Sequence, residues 1–287
     1  MESNRKAFKS GTAAWLRAAA FAMMAANAAL PATAQTRWDD HEASYLALGD
    51  SVAFGYITAD GYAYVNAENF IGYPFWLAAT MHMVSANAAC PGETSGSFLS
   101  STAPDNGCRA FRSQAPLHVK YTGTQLAFAT SYLSTHRNTR LVTIGLGAND
   151  IFLLEDSCGG NITCIENGLP AVLASIVVNM ETIIADLLAT GYSGKIVVVN
   201  YYSTDYTDTT TTDIVTALNG ALATAANAFG LPVSDSFTAF QNASIPAGGQ
   251  TCVAGLLNVD PANNALCDVH PAQSGQRLLA RTLRSVL

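Results

Sequence analysis

A chain of 287 residues, 49% hydrophobic and only 12% charged, carries enough apolar material for a substantial core, which excludes a disordered chain. Its formal charge of −7, with no basic cluster outside the N-terminal segment, excludes a nucleic-acid or anionic-membrane partner held by charge.

Residues 1–17 carry Arg5, Lys6, Lys9 and Arg17 against a single Glu2, and the apolar run Ala18 to Leu30 follows. The run ends in Pro31-Ala32-Thr33-Ala34, an A-x-A-type cleavage site, so residues 1–34 read as a secretory signal peptide. The run is shorter than the roughly 20 residues that span a bilayer, and nothing after Ala34 reads as a stop-transfer segment. Losing four basic residues and one acidic one moves the formal charge of the expected mature chain, 35–287, from −7 to −10. One domain is expected there, in a secreted, extracellular or periplasmic protein that is a monomer without stable membrane insertion.

Export places the six cysteines in an oxidising compartment. Many pairings are open to six cysteines. They fall into three local couples, each flanking a loop-like stretch, and the expected bridges are Cys90–Cys108, Cys158–Cys164 and Cys252–Cys267. Zinc is the rival use, but no C-x-x-C pair exists and no histidine stands at ligand spacing from a cysteine, so no metal is expected.

Along the chain, Tyr45 to Leu48 is a short apolar run that stops at Gly49-Asp50, a strand entering a turn. A helix is predicted over Glu68 to Thr80, interrupted near its start by Gly72 and Pro74, and a strand over His82 to Ala86, followed by a loop from Asn87 to Gly96. Gln125 to His136 reads as a helix with Leu126, Ala129 and Leu133 on one face. Leu141 to Leu146 is a strand opening into Gly147-Ala148-Asn149-Asp150. Leu173 to Ala189 has helical spacing at Ile176, Met180, Ile183, Ile184 and Leu187, and Lys195 to Asn200 is a β-branched strand. Ser203 to Thr212 reads as a loop, Asp213 to Phe229 as a helix, Pro232-Val233 as a short strand, and Ala272 to Val286 as the last helix. Phe237 to Cys267 shows no clear period. Strands alternating with helices predict an α/β fold with a parallel sheet covered on both faces, whose carboxyl-end rim binds ligands.

Four segments at that rim carry chemistry. In Gly49-Asp50-Ser51 the serine stands at a strand-to-helix turn with its hydroxyl exposed. A hydroxyl is a weak nucleophile that needs a histidine base, and the base needs a group to fix its tautomer. Asp268-Val269-His270-Pro271 offers that pair, because residues two apart in an extended loop project the same way. Acyl transfer also needs donors for the oxyanion. Gly92, in Cys90-Pro91-Gly92-Glu93-Thr94, brings a backbone N–H close to a substrate, and Asn149 brings a side-chain amide. His41, His82, His118 and His136 have structural or solvated readings.

Taken in order, these segments resemble the four sequence blocks of the SGNH hydrolases, also called GDSL esterases and lipases. The first block resembles Leu46-Ala47-Leu48-Gly49-Asp50-Ser51 with Gly55, the second Ala89 to Thr94, the third Ile144 to Asp150 and the last Asp268 to Pro271. Val52 stands where the family usually has leucine. The resemblance implies a three-layer α/β/α sandwich around a five-stranded parallel sheet, flavodoxin-like in its winding. It implies Ser51 as nucleophile, with His270 and Asp268 completing a triad. It implies an oxyanion hole from the Ser51 and Gly92 N–H groups and the Asn149 amide, with no cofactor. The subgroup resembled is that of secreted, disulfide-bonded bacterial esterases and lipases, whose local bridges agree with the pairing above. The G-x-S-x-G elbow of α/β-hydrolases is absent. The activity expected is hydrolysis of lipid, lysophospholipid-type or short-chain esters through an acyl-enzyme. The alternatives are a carbohydrate deacetylase or an acyltransferase on the same triad, or a catalytically silent secreted binding protein. Tyr56, Tyr73, Tyr201 to Thr212 and Phe237 to Val253 are the expected pocket walls.

Overall fold

The computed structural model describes residues 42–57, 67–259 and 267–287, so the leader expected over 1–34 and His41 lie outside the described residues. Five strands form one parallel sheet: β1 Ser44–Gly49, β2 Val84–Asn87, β3 Thr139–Gly145, β4 Lys195–Val199 and β5 Val233–Ser234. Their order is β2-β1-β3-β4-β5. This is the flavodoxin-like winding, whose direction reverses between β1 and β3.

The strands have apolar residues on both faces because both faces are covered. Leu46, Leu48, Val142, Ile144, Ile196 and Val198 point into one buried cluster. There they meet α5 (Gln125–Thr135), α7 (Ile162–Ala189) and α8 (Thr209–Ala228). Their alternates Tyr45, Ala47, Leu141, Val197 and Val199 point into a second cluster. That cluster is completed by α1 (Ser51–Phe54), α2 (Tyr73–Met81), α9 (Ser236–Ser244) and α10 (Gln273–Arg284). The period-two alternation of the strands thus divides the core into the two halves of an α/β/α sandwich.

Several elements differ from the sequence expectation, each for a local reason. Where one helix from Glu68 was expected, a 3₁₀ turn covers Ala67–Asn69, and α2 starts only after Gly72, with Pro74 in its first turn. His82 ends α2 in the left-handed conformation at φ 53°, so β2 begins at Val84 rather than His82. Helix α7 begins eleven residues before Leu173, with Asn161 as its cap. Pro170 does not break it, because its outward face leaves the freed carbonyl to solvent. By length and composition α7 could cross a membrane, contrary to the expectation that no such segment follows Ala34. Its stripe Ile176, Met180, Ile183, Ile184 and Leu187 is buried in the core. Asp208 caps α8 and draws its start back to Thr209, inside the expected loop.

Short helices α3 (Ser95–Leu99), α4 (Cys108–Gln114) and α6 (Ala148–Cys158) follow the rim loops. The stretch from Phe237 to Cys267, read as aperiodic, holds β6 (Leu257–Val259) and all but the first residue of α9. Strand β6 pairs antiparallel with β7 (Cys267–Pro271), so Asp268 and His270 stand on a strand rather than in a loop. The bridges are Cys90–Cys108, Cys158–Cys164 and Cys252–Cys267, as the local couples suggested.

The last bridge closes 15 residues around β6 and ends on the first residue of β7. Replacing Cys252 and Cys267 together with serine is expected to lower unfolding stability by about 3 kcal/mol in urea titrations. A stability equal to that of the unsubstituted chain would contradict the loop-closure account.

Candidate active site

Strand β1 is buried throughout and ends at Gly49, which pairs with Gly145 at the end of β3. A Cβ on residue 49 would lie 2.5 Å from the Gly145 carbonyl oxygen, and φ is +144° there, so only glycine fits. Asp50 then caps α1, its carboxylate accepting from the Val52 N–H at 2.9 Å, and Ser51 is the first helical residue. The Gln125 side chain holds both backbone groups of Gly49, accepting from its N–H at 2.7 Å and donating to its carbonyl at 3.0 Å.

The Ser51 hydroxyl lies 2.9 Å from His270 Nε2. His270 Nδ1 lies 2.8 and 2.9 Å from the two Asp268 carboxylate oxygens. A carboxylate accepts and Nδ1–H donates, which leaves Nε2 to accept the Ser51 proton. The Tyr56 ring packs edge-on against His270 at 5.0 Å between centroids, limiting the tilt of the imidazole. The first and last sequence blocks therefore meet.

The second and third blocks meet beside them. Gly92 has φ +82°, and a Cβ there would stand 2.2 Å from the Asn106 carbonyl oxygen. Asn149, buried in the first turn of α6, donates from Nδ2 to the Glu93 carbonyl at 3.1 Å and accepts from Asn106 Nδ2 at 2.9 Å. Next to it, Asp150 accepts from Ser95 N at 2.8 Å and from Ser95 Oγ at 2.6 Å, and Asn179 on α7 donates to the same hydroxyl.

Three carboxyls stand next in sequence to Ser51, Gly92 and Asn149: Asp50 and Glu93 are buried and Asp150 is half-buried. Burial pushes Asp50 up to about 6, against the pull of hydrogen bonds from Tyr201 and Val52. Burial pushes Glu93 up to about 6 as well, against hydrogen bonds from Ser97 and Gln125. Burial also raises Asp150, whose Ser95 bonds oppose it. His118 is held low by burial and bonds the Phe54 carbonyl at 2.9 Å, a structural role as expected. His136 stacks on Tyr132 at 3.9 Å. Cys90, Glu93 and Cys108 lie close enough together to suggest a metal cluster, but both cysteines are bonded to each other.

Ser51 and His270 stand between two cavities. One, of ≈ 240 Å³, is mostly apolar, lined by Val52, Ile151, Phe152, Ile214, Val215 and Leu218, with Glu155 and Thr211 among its other walls. The other, of ≈ 280 Å³, contains Tyr56, Gly92, Asn106, Phe111 and Asn149. Of the expected walls, Tyr56 lines the second cavity, and Tyr201, Tyr202, Thr204 and Thr211 line the first. Tyr73 is buried in the core instead, and Phe237 to Val253 lines neither. The residues sequence reasoning missed are Asn106, Gln125 and Phe152. Asn106 stands in Pro104-Asp105-Asn106-Gly107, which reads as turn punctuation.

Residues 47–278 match the model of the GDSL-like lipase/acylhydrolase family. A sequence search of curated proteins finds no match. Among solved structures, phospholipase A1 from Streptomyces albidoflavus is 19% identical, with a TM-score of 0.57 over 86% of this chain and 100% of that one. An extracellular lipase from Streptomyces rimosus is also 19% identical, with a TM-score of 0.55 over 85% and 100%. An acetylxylan esterase from Geobacillus stearothermophilus is 14% identical, with a TM-score of 0.51 over 85% and 94%. At such identities the structures share the fold, and the family match carries the chemistry: the chain belongs to the GDSL-like lipases and acylhydrolases and is a carboxylic ester hydrolase.

Proposed function

We propose that this protein is a secreted serine esterase that cleaves esters of apolar acyl chains through a covalent acyl-enzyme on Ser51. One observation carries the reading: the unbroken Ser51–His270–Asp268 hydrogen-bond chain opens beside a mainly apolar cavity. Ser51 Oγ attacks the ester carbonyl carbon while its proton passes to His270 Nε2. Asp268 keeps the proton of Nδ1 in place and stabilises the imidazolium that forms. The negative charge that develops on the carbonyl oxygen is met by the N–H groups of Ser51 and Gly92 and by the Asn149 amide. The carbon–oxygen bond to the alcohol then breaks, and the alcohol leaves with the proton from His270. Water, deprotonated by His270, attacks the acyl-enzyme, and the acid departs as Ser51 recovers its proton.

The acyl chain enters the cavity between Val52, Phe152, Ile214 and Leu218, where burial of its methylenes supplies about 0.8 kcal/mol each. The alcohol faces the cavity with Tyr56 and Asn106. Three disulfides and the basic-then-apolar leader support secretion.

Three measurements test this reading. A fluorophosphonate probe is expected to label the protein at Ser51, and Ser51→Ala to abolish labelling and hydrolysis; persistent turnover in Ser51→Ala would sink the acyl-enzyme. Asn149→Ala is expected to lower kcat about 10²–10³-fold with little change in KM. In a series of p-nitrophenyl esters, kcat/KM is expected to rise from acetate to longer chains, and Leu218→Phe or Ile214→Trp, by filling the cavity, to move the preference back to acetate. A wild-type preference for acetate would argue for deacetylation instead.

Asp50 generates a fourth expectation. Its carboxyl titrates near about 6 when folded, and at about 3.9 in an unfolded chain. Between pH 4 and 6 the folded state holds a proton that the unfolded state has released, so raising the pH removes stability and the loss levels off above 6. Asp50→Asn has no such term. Its stability relative to wild type should rise through that window by up to about 3 kcal/mol, read from urea unfolding at each pH. A difference that does not vary with pH would contradict the buried ionisation.

A further inference from the structure

An asparagine amide is useful as an oxyanion donor in only one of its two orientations. Turned by half a revolution, it fills the same space but presents oxygen lone pairs to a developing negative charge. Something must therefore choose between the two. In this protein the choice follows from a directed set of contacts. The Glu93 backbone carbonyl can only accept, so the Asn149 group 3.1 Å from it is Nδ2. The Asn149 oxygen then faces the other way and requires a donor, which Asn106 Nδ2 supplies at 2.9 Å. The second Asn149 N–H is left for the cavity it shares with Ser51, Gly92 and His270.

Asn106 also fixes the other loop donor. Its backbone N–H donates to the Gly92 carbonyl at 2.8 Å, and its own carbonyl occupies the space a side chain on residue 92 would need. Two residues beyond it, Cys108 is bonded to Cys90, two residues before Gly92, so the bridge closes the loop on which both stand.

We propose that Asn106 is the positioning residue of the oxyanion hole, holding the Asn149 amide with its N–H toward the reaction and the Gly92 backbone beside it. It acts through Asn149 and Gly92, and the inference rests on the reading of those two residues as oxyanion donors.

Asn106→Asp tests it, because the substitution keeps the shape and replaces a donor by an acceptor. With p-nitrophenyl butyrate at pH 8, kcat is expected to fall about 10²-fold, KM to stay within about threefold, and the melting temperature to stay close to wild type. Asn106→Ala, which removes the donor without adding charge, is expected to fall less. The double variant Asn106→Ala/Asn149→Ala is expected to be no slower than Asn149→Ala alone, since nothing is left for Asn106 to orient. Wild-type kcat in both Asn106 variants, or losses that multiply in the double variant, would overturn the proposal. Failure of the underlying reading looks different: Asn149→Ala by itself would then retain wild-type kcat.

Discussion

The parallel pairing of β1 with β3, closed by Gly49 against Gly145, is the constraint on which the site depends. These two strands flank the point where the winding of the sheet reverses, and their connections leave in opposite directions, opening a crevice at their carboxyl ends. Because the two chains leave the sheet at the same level, the turn with Ser51 and the turn with Asn149 start as neighbours. A methyl group at residue 49 would collide with the Gly145 carbonyl and push the two turns apart. Gln125 reinforces the junction by bonding both backbone groups of Gly49, as a further strand would.

Three acids then connect the loops. Each stands directly beside a residue of the proposed mechanism: Asp50 before Ser51, Glu93 after Gly92, Asp150 after Asn149. Asp50 and Glu93 are buried and Asp150 half-buried, each is raised by loss of solvent, and each bonds to a different part of the chain. Asp50 accepts from Tyr201, which follows β4. Glu93 accepts from Gln125, and Asp150 from Ser95. A buried carboxyl without donors is costly, so these acids favour the one arrangement of loops that satisfies all of them at once. Their role is to hold the loops together, and the donors proposed around Ser51 would inherit that rigidity.

The sheet was legible mainly through β1, β3 and β4, which are short β-branched or apolar runs, the first two ending in glycine. Helices α5 and α7 were legible from their apolar stripes and α8 as a helical stretch from Asp213, although Asn161 and Asp208, acting as caps, set the starts of α7 and α8 earlier than expected. Helices α3, α4 and α9 were hidden because they are short and rich in small polar residues, as in Ser95-Gly96-Ser97. The Asp268–His270 pair was readable from its spacing of two, which serves a loop and a strand alike. Its strand partner was not, since Leu257-Asn258-Val259 is too brief to show a pattern. Ser51, Gly92 and Asn149 each look like turn punctuation, and only their order marks them out. Asn106 and Gln125 carry no local mark at all. Their importance lies in contacts 43 and 76 residues away, with Asn149 and Gly49.

On the proposed reading, the position of Ser51 between two unlike cavities separates binding from chemistry. The apolar walls from α1, α6 and α8 would hold the proposed acyl chain equally well before and during reaction, and such uniform binding acts on KM. The donors proposed at Gly92 and Asn149 would find their full partner only when the carbonyl oxygen takes on negative charge, and would act on kcat. Phe152 and Val269 line both spaces. Phe152 lies three residues after Asn149 on α6, and Val269 lies between Asp268 and His270 on β7. The partition between the cavities is therefore built on the same two elements that carry the proposed donor and the proposed base. On the proposed reading, a change in the width of the apolar cavity made through either residue would also move the proposed donor or base, whereas Ile214 and Val215 on α8 line the same cavity from an element that carries neither. On that reading, acyl preference is most freely altered at Ile214 and Val215, on a helix that lies far in sequence from every one of the four blocks.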